Sequence, residues 1–159
     1  MLTEARRHRV FVAFDADIAV LPRREWVAGV VRAALRSADA PGGSVAVRIV
    51  DARAIRALNR EFRHVDEPTD VLSFPDGEEW PGAGQARHLG DIALAWEVCV
   101  AQAAERGRPT REEAALLLVH GVMHLLGHDH ADLEEKQRMQ AAERAALAMR
   151  FRRPPVVDY

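Results

Sequence analysis

At 159 residues the chain is long enough to bury a core, and 48% hydrophobic with 29% charged content is ordinary for a globular protein. The single Cys99 excludes an internal disulfide framework and suits a reducing cytoplasm. No stretch approaches membrane-spanning length, and the start, Met-Leu-Thr-Glu-Ala-Arg-Arg, lacks a signal-peptide apolar region, so one cytoplasmic domain over residues 1–159 is expected. A net charge of −2 does not advertise a nucleic-acid binder, although the basic residues are 21 arginines and one lysine, Lys136. Arginine's planar fork suits phosphate oxygens, but a composition bias replacing lysine explains the count more simply. Any RNA binding must therefore come from a local patch.

In chain order, Val10-Phe-Val-Ala-Phe14 reads as a first strand. A helix follows from about Arg24 to Arg36, with Trp26, Val27, Val30, Val31, Ala34 and Leu35 on one face. Pro41-Gly-Gly43 breaks it, and Ser44 to Val50 reads as a second strand. Asp51 is the expected N-cap of a helix whose apolar face is Ile55, Leu58 and Phe62. Pro68 and the acids around it close that helix in a loop, and Val71 to Phe74 form a short strand ended by Pro75. Residues 76–84, rich in glycine, acid and proline, are expected to be a hairpin connection leading to a strand at His88 to Ala95.

A helix from about Glu97 to Arg106 runs through Gly107 and Pro109 into a second, starting at Thr110, where Thr110 and Glu113 have the form of a capping box. The last helix, Asp132 to Arg150, is expected to turn Met139, Ala142, Ala146 and Met149 inward, with frayed residues after Pro154-Pro155. This order fits an α+β fold: a small mixed β-sheet packed with about five helices and a βαβ-like start. The helix from Thr110, apolar around most of its circumference, should be central and buried.

That helix carries the chemistry. His120-Gly-Val-Met-His-Leu-Leu-Gly-His-Asp-His130 holds four of the chain's seven histidines in eleven residues. If the helix continues through Leu126, the Cβ atoms of His120 and His124 lie about 5–6 Å apart on one face. Both imidazoles then reach one ion at the usual zinc–nitrogen length of roughly 2.0–2.1 Å. Gly127 can take the left-handed conformation that turns the chain back and brings His130 round as a third ligand. A helix that ran on would present His128 instead; the glycine and the polar tail favour His130. Three nitrogens leave a fourth position open, as in a catalytic zinc site. Nickel, copper and iron also accept imidazole.

The stretch His120-Gly-x-x-His124-Leu-x-Gly127-x-Asp129-His130 resembles the signature of the YbeY family of bacterial metal-dependent endoribonucleases, described also as rRNA maturation factors. Two further blocks match: Leu58-Asn-Arg-Glu-Phe-Arg63 leading through Asp66 to Pro75, and Leu89-Gly-Asp-Ile92. His128 departs from the pattern, where the family commonly has tyrosine. The resemblance implies one zinc ion per chain held by His120, His124 and His130, and cutting of single-stranded RNA. It further implies a role in maturation of small-subunit (16S) ribosomal RNA and in ribosome quality control, with the ribosome or its small subunit as partner, and neither DNA nor membrane. It also gives Arg63 as important for activity.

On chemistry alone, a metal ion acidifies bound water towards a pKa of ~7 and polarises a phosphoryl oxygen. The catalytic candidates are His120 and Arg63, whose guanidinium would stabilise charge developing on phosphate. The plainer role for Arg63 is pairing with Asp66 or Asp70. Asp70 and Asp91 are candidates to orient a ligand imidazole or act as general base, though such aspartates more often cap turns. Asn59 and Ser73 are weaker candidates, and Asp129 is expected to shape the turn before His130.

Two other functions compete. The histidine spacing is that of the metzincin zinc peptidases, but these need glutamate after the first histidine, where this chain has Gly121. The glycine is expected to leave room for a bulky backbone near the metal. The other competitor is a non-catalytic ribosome-associated factor with a structural metal, which an open three-histidine site disfavours.

Overall fold

The computed structural model describes residues 7–15, 18, 20–76 and 87–159. The elements run β1 (His8–Phe14), α1 (Arg24–Ser37), β2 (Gly43–Val50), α2 (Ala52–Arg63), β3 (Val71–Pro75), β4 (His88–Ala95), α3 (Trp96–Glu105), α4 (Thr110–Leu125) and α5 (Leu133–Ala148). The fold is α+β, five helices on a four-stranded mixed sheet, as the sequence pattern predicts. The strand order is β1-β2-β4-β3, with β1, β2 and β4 parallel and β3 antiparallel on the edge. The expected connection between β3 and β4 falls largely on residues 77–86, outside the described residues, as does most of the N-terminal start.

The alternation of apolar residues in β2 and β4 decides which helix goes where. Val45, Val47 and Ile49 of β2 and Ile92 and Leu94 of β4 point to the face covered by α1 and α4, with α5 packed against those two helices. Val50, Ala93 and Ala95 point to the opposite face, where Ile55 of α2 meets them. α4 lies in the larger layer with residues 113–119, 121–123 and 125 buried, so it is the central helix that its composition predicts.

The cap expected at Asp51 forms, accepting from Ala54 N at 2.7 Å; Asp132, expected as the first residue of the last helix, is its N-cap instead and accepts from Glu135 N at 2.8 Å. The capping box expected at Thr110 does not form. Pro109 takes the N-cap position and Thr110 is already helical, which frees Glu113 to turn inward against Arg106 (3.4 Å) and Arg108 (3.5 Å). Two apolar positions expected in the core lie outside it: Phe62 is 50% and Met149 54% exposed. Met149 is the C-cap and keeps helical dihedrals (φ −75°, ψ −21°), but it continues the side of the half-buried Ala142 and lies off the buried stripe of Met139, Glu143, Ala146 and Leu147. The segment after Pro155 is not frayed: Val157 is buried, and Arg108 donates to Asp158 at 2.9 and 3.0 Å and to Val156 O at 3.2 Å.

Two glycines seat α4 on the sheet. A Cβ on Gly121 would stand 3.2 Å from both Ile92 Cγ2 and Ser73 Oγ, and the Ser73 hydroxyl donates to Gly121 O at 2.8 Å. Gly90 has φ +148°, and a Cβ there would lie 2.6 Å from Leu125 Cδ2 and from Phe74 O. The side-chain-free backbone at these points lets the helix approach β3 and β4 closely, one turn from the histidines.

Candidate metal centre

α4 ends at Leu125 and Leu126 caps it, with His128 N bonding back to Met123 O at 3.0 Å. Gly127 follows with φ +92°, the left-handed conformation predicted for it. This turn returns the chain so that His130 reaches the two helical histidines. The ligand-capable atoms of His120, His124 and His130 all lie within 4.8 Å of one another. His128 is not part of this cluster; it lines the adjoining cleft.

The donors fit a metal ion. His120 Nε2 and His124 Nε2 face each other at 3.1 Å, against about 3.3–3.4 Å for two nitrogens on a tetrahedral ion at roughly 2.0–2.1 Å. Burial first, then the His120 and His130 imidazoles, pushes the pKa of His124 below the ordinary histidine value, so its neutral, ligating form is favoured.

The carboxylate behind the cluster is neither Asp70 nor Asp91. Glu143 of α5 takes His120 Nδ1 at 2.6 Å on Oε1 and the Tyr159 hydroxyl at 2.8 Å on Oε2, and it is itself only 1% exposed. With Nδ1–H donating to Glu143, the Nε2 lone pair of His120 is directed at its two neighbours. Burial first, then the bond to Glu143, raises the pKa of the Tyr159 phenol above its usual value.

Asp70 instead accepts from Val71 N at 2.7 Å and from Gln102 at 3.3 Å, and Asp91 faces solvent with His88 at 3.1 Å. Asn59 is buried and donates to Glu67 O at 2.8 Å, tying down the loop after α2. Asp129 accepts from His130 N at 2.7 Å, a local bond within the turn.

Arg63 pairs with neither Asp66 nor Asp70. Asp66 belongs to Arg56 at 3.0 Å, and that bond above all lowers its pKa. Arg63 instead reaches round the free edge of β3, donating to Ser73 O at 2.7 Å with its guanidinium over the Phe74 ring. There it shares with His124, His128 and Asp129 an open cleft of about 500 Å³. The space expected beside the metal at Gly121 does not exist, because that position faces Ile92 and Ser73 on the sheet.

Glu143 and Tyr159 are the members of the site that the sequence reading missed. A signal for Glu143 was present: it interrupts an inward stripe with Met139 four residues before it and Ala146 and Leu147 just after. Tyr159, 39 residues from His120, leaves no spacing to read.

A mixed sheet carrying a central helix whose end presents three histidines defines an α+β protein with a donor set able to hold a metal ion. Comparison with known proteins narrows the class. A family model described as Endoribonuclease YbeY matches residues 15–150. A protein named Endoribonuclease YbeY from Halorhodospira halophila (strain DSM 244 / SL1) is 50% identical over 109 residues, 67% of this chain and 70% of that one. One of the same name from Chromohalobacter salexigens is 42% identical over 141 residues, 86% of this chain and 88% of that one. The chain belongs to the YbeY family of endoribonucleases. A solution structure from Thermotoga maritima, 21% identical with a TM-score of 0.57 over 89% of this chain and 90% of that one, shares the fold. Among the described residues no helix is long and apolar enough to cross a membrane.

Proposed function

We propose that residues 1–159 act as one metal-dependent endoribonuclease domain that cuts single-stranded RNA in the cytoplasm. Its substrate is ribosomal RNA, in maturation of the small-subunit (16S) species and in ribosome quality control, with the small subunit as partner. The ligands are His120, His124 and His130, and the ion is zinc. The observation that carries this reading is the three-histidine cluster, one member of which, His124, lines an open cleft together with Arg63. When bound, the ion supplies Lewis acidity towards a phosphoryl oxygen and an acidified water.

The chain's own residues do the rest. Glu143 holds His120 with Nε2 forward, so this imidazole needs no rotation to act. The Ser73 carbonyl and the Phe74 ring hold the Arg63 guanidinium at the rim, where it meets negative charge growing on the phosphate oxygens. The local patch that the weak overall charge requires is on α2. Arg53, Arg56, Arg60 and Arg63 are exposed at three- and four-residue spacing along one face, a stripe about 15 Å long at 1.5 Å per residue. Arg56 is engaged by Asp66; the others are available to a phosphate backbone leading into the cleft.

The test is cleavage of a defined single-stranded RNA by metal-loaded wild type, His124→Ala and Arg63→Ala, with an unstructured peptide as the competing substrate and bound metal counted in each sample. Wild type should cut RNA and leave the peptide. His124→Ala should lose metal and cutting together, and Arg63→Ala should keep metal and lose rate. RNA surviving with stoichiometric metal in wild type would instead support a ribosome-bound factor with a structural metal.

A further inference from the structure

Residues 151–159 lie beyond the segment matched by the family model, yet they end against the histidine cluster. After α5 the chain folds back along α3 and α4, fastened by the Arg108 bonds to Val156 and Asp158 and by burial of Val157. Gln140 Nε2 donates to Tyr159 O at 3.2 Å, and the Tyr159 ring stands 4.9 Å from His120 and 6.0 Å from His130, centroid to centroid. The Tyr159 hydroxyl occupies the one Glu143 oxygen that His120 does not.

We propose that this segment is a strap and that Tyr159 is a positioning residue for the metal centre, fixing the Glu143 carboxylate so that Glu143 can fix His120. The inference rests on the metal-site reading above. A side cavity of about 90 Å³, lined by Glu143, His120, Gln102 and Glu113, adjoins the carboxylate and gives it room to turn if the phenol is lost. Burial alone does not hold Glu143 in place: the two oxygens are held by two different partners, and Tyr159 is the only one of them outside the cluster.

The experiment uses the full chain with Tyr159→Phe, which removes only the hydroxyl, alone and combined with Glu143→Ala, which leaves the phenol no partner at that position. Zinc affinity is read by competition with a chromophoric chelator, and the His120 tautomer by imidazole ¹⁵N shifts of the metal-free chain near pH 8. Tyr159→Phe should weaken zinc about three- to tenfold, the worth of one hydrogen bond, and should add nothing on the Glu143→Ala background, where no carboxylate is left to position. In the metal-free chain it should move His120 from a single Nδ1–H tautomer to a mixture.

Unchanged zinc affinity with an unchanged tautomer overturns the proposal, and so does a loss that adds fully to that of Glu143→Ala. If wild type takes no zinc while the tautomer still responds to Tyr159→Phe, the positioning role stands and the metal reading is what fails.

Discussion

Replacing Glu143 tests whether the cluster is organised from behind. Glu143→Gln keeps the volume and one carbonyl oxygen, which can still accept from His120 Nδ1–H, while the new amide can donate to the Tyr159 hydroxyl oxygen. What is lost is the carboxylate's charge on the 2.6 Å bond. Partners of this kind are worth about 10- to 100-fold in metal affinity, and the isostere should fall at the lower end, about tenfold or ~1.4 kcal/mol. Glu143→Ala goes further. It leaves two donors, His120 Nδ1–H and the Tyr159 hydroxyl, without the acceptor they share in Glu143, a carboxylate only 1% exposed. That should cost about 2–4 kcal/mol of stability, or on the order of 10 °C in Tm for a chain of this size, with metal affinity down about 100-fold. Chelator competition measures the affinity, and calorimetry of the metal-free chain separates it from stability. Wild-type zinc affinity in both variants would refute the argument that Glu143 orients His120.

Gly90→Ala should cost about 2–4 kcal/mol, because it adds both left-handed strain and a clash with Phe74 O and Leu125; denaturant melts check it, and a wild-type midpoint would show that the α4–sheet approach is looser than described. Arg60→Ala should weaken single-stranded RNA binding about equally for all sequences and lower the salt slope by about 0.7, the value of one phosphate contact. An unchanged slope would remove Arg60 from the RNA path. Cys99 is fully buried, and burial first, then Glu113 and Asp70, pushes its pKa up to about 12. Its thiolate fraction at pH 8 is then on the order of one in ten thousand, against about a quarter for a free thiol. Iodoacetamide should label it only after unfolding, and native labelling at the denatured rate would contradict this.

The fold was legible wherever a local rule decides it: the alternation in β2 and β4, the N-cap Asp51, and the stop at Gly127. Thr110 and Glu113 misled because a capping box is only one option for a glutamate near arginines; here Arg106 and Arg108, in the turn before the helix, compete for it and win. Phe62 lies at the apolar spacing of α2 but meets only the edge strand β3, packed edge-on against Phe74 with half its surface exposed. No periodicity reports where a sheet ends. The cluster itself could be read because its three members fall within eleven residues and a turn. Glu143 and Tyr159 reach it through tertiary packing alone, and Arg63 finds its partner on β3 rather than on the nearby aspartates.

Gly121 is where the physical argument between hydrolysing RNA and hydrolysing peptides turns. In a peptidase built on this histidine spacing, the residue after the first histidine supplies a carboxylate base beside the metal. Here that position is pressed onto Ile92 and the Ser73 hydroxyl, with 3.2 Å left for even a Cβ. Even a Cβ there requires the Ile92 and Ser73 side chains to give way by a few tenths of an ångström, and the rest of a glutamate would have to find space between α4 and the sheet. The close helix–sheet approach therefore disfavours a carboxylate base at this position. The cleft that remains carries Arg63, two histidines and one acid, Asp129, whose Oδ1 is engaged by His130 N. With a divalent ion in place this lining is positive, which stabilises a phosphodiester gaining charge and offers a neutral peptide carbonyl no base. Charge, more than histidine spacing, separates the two chemistries.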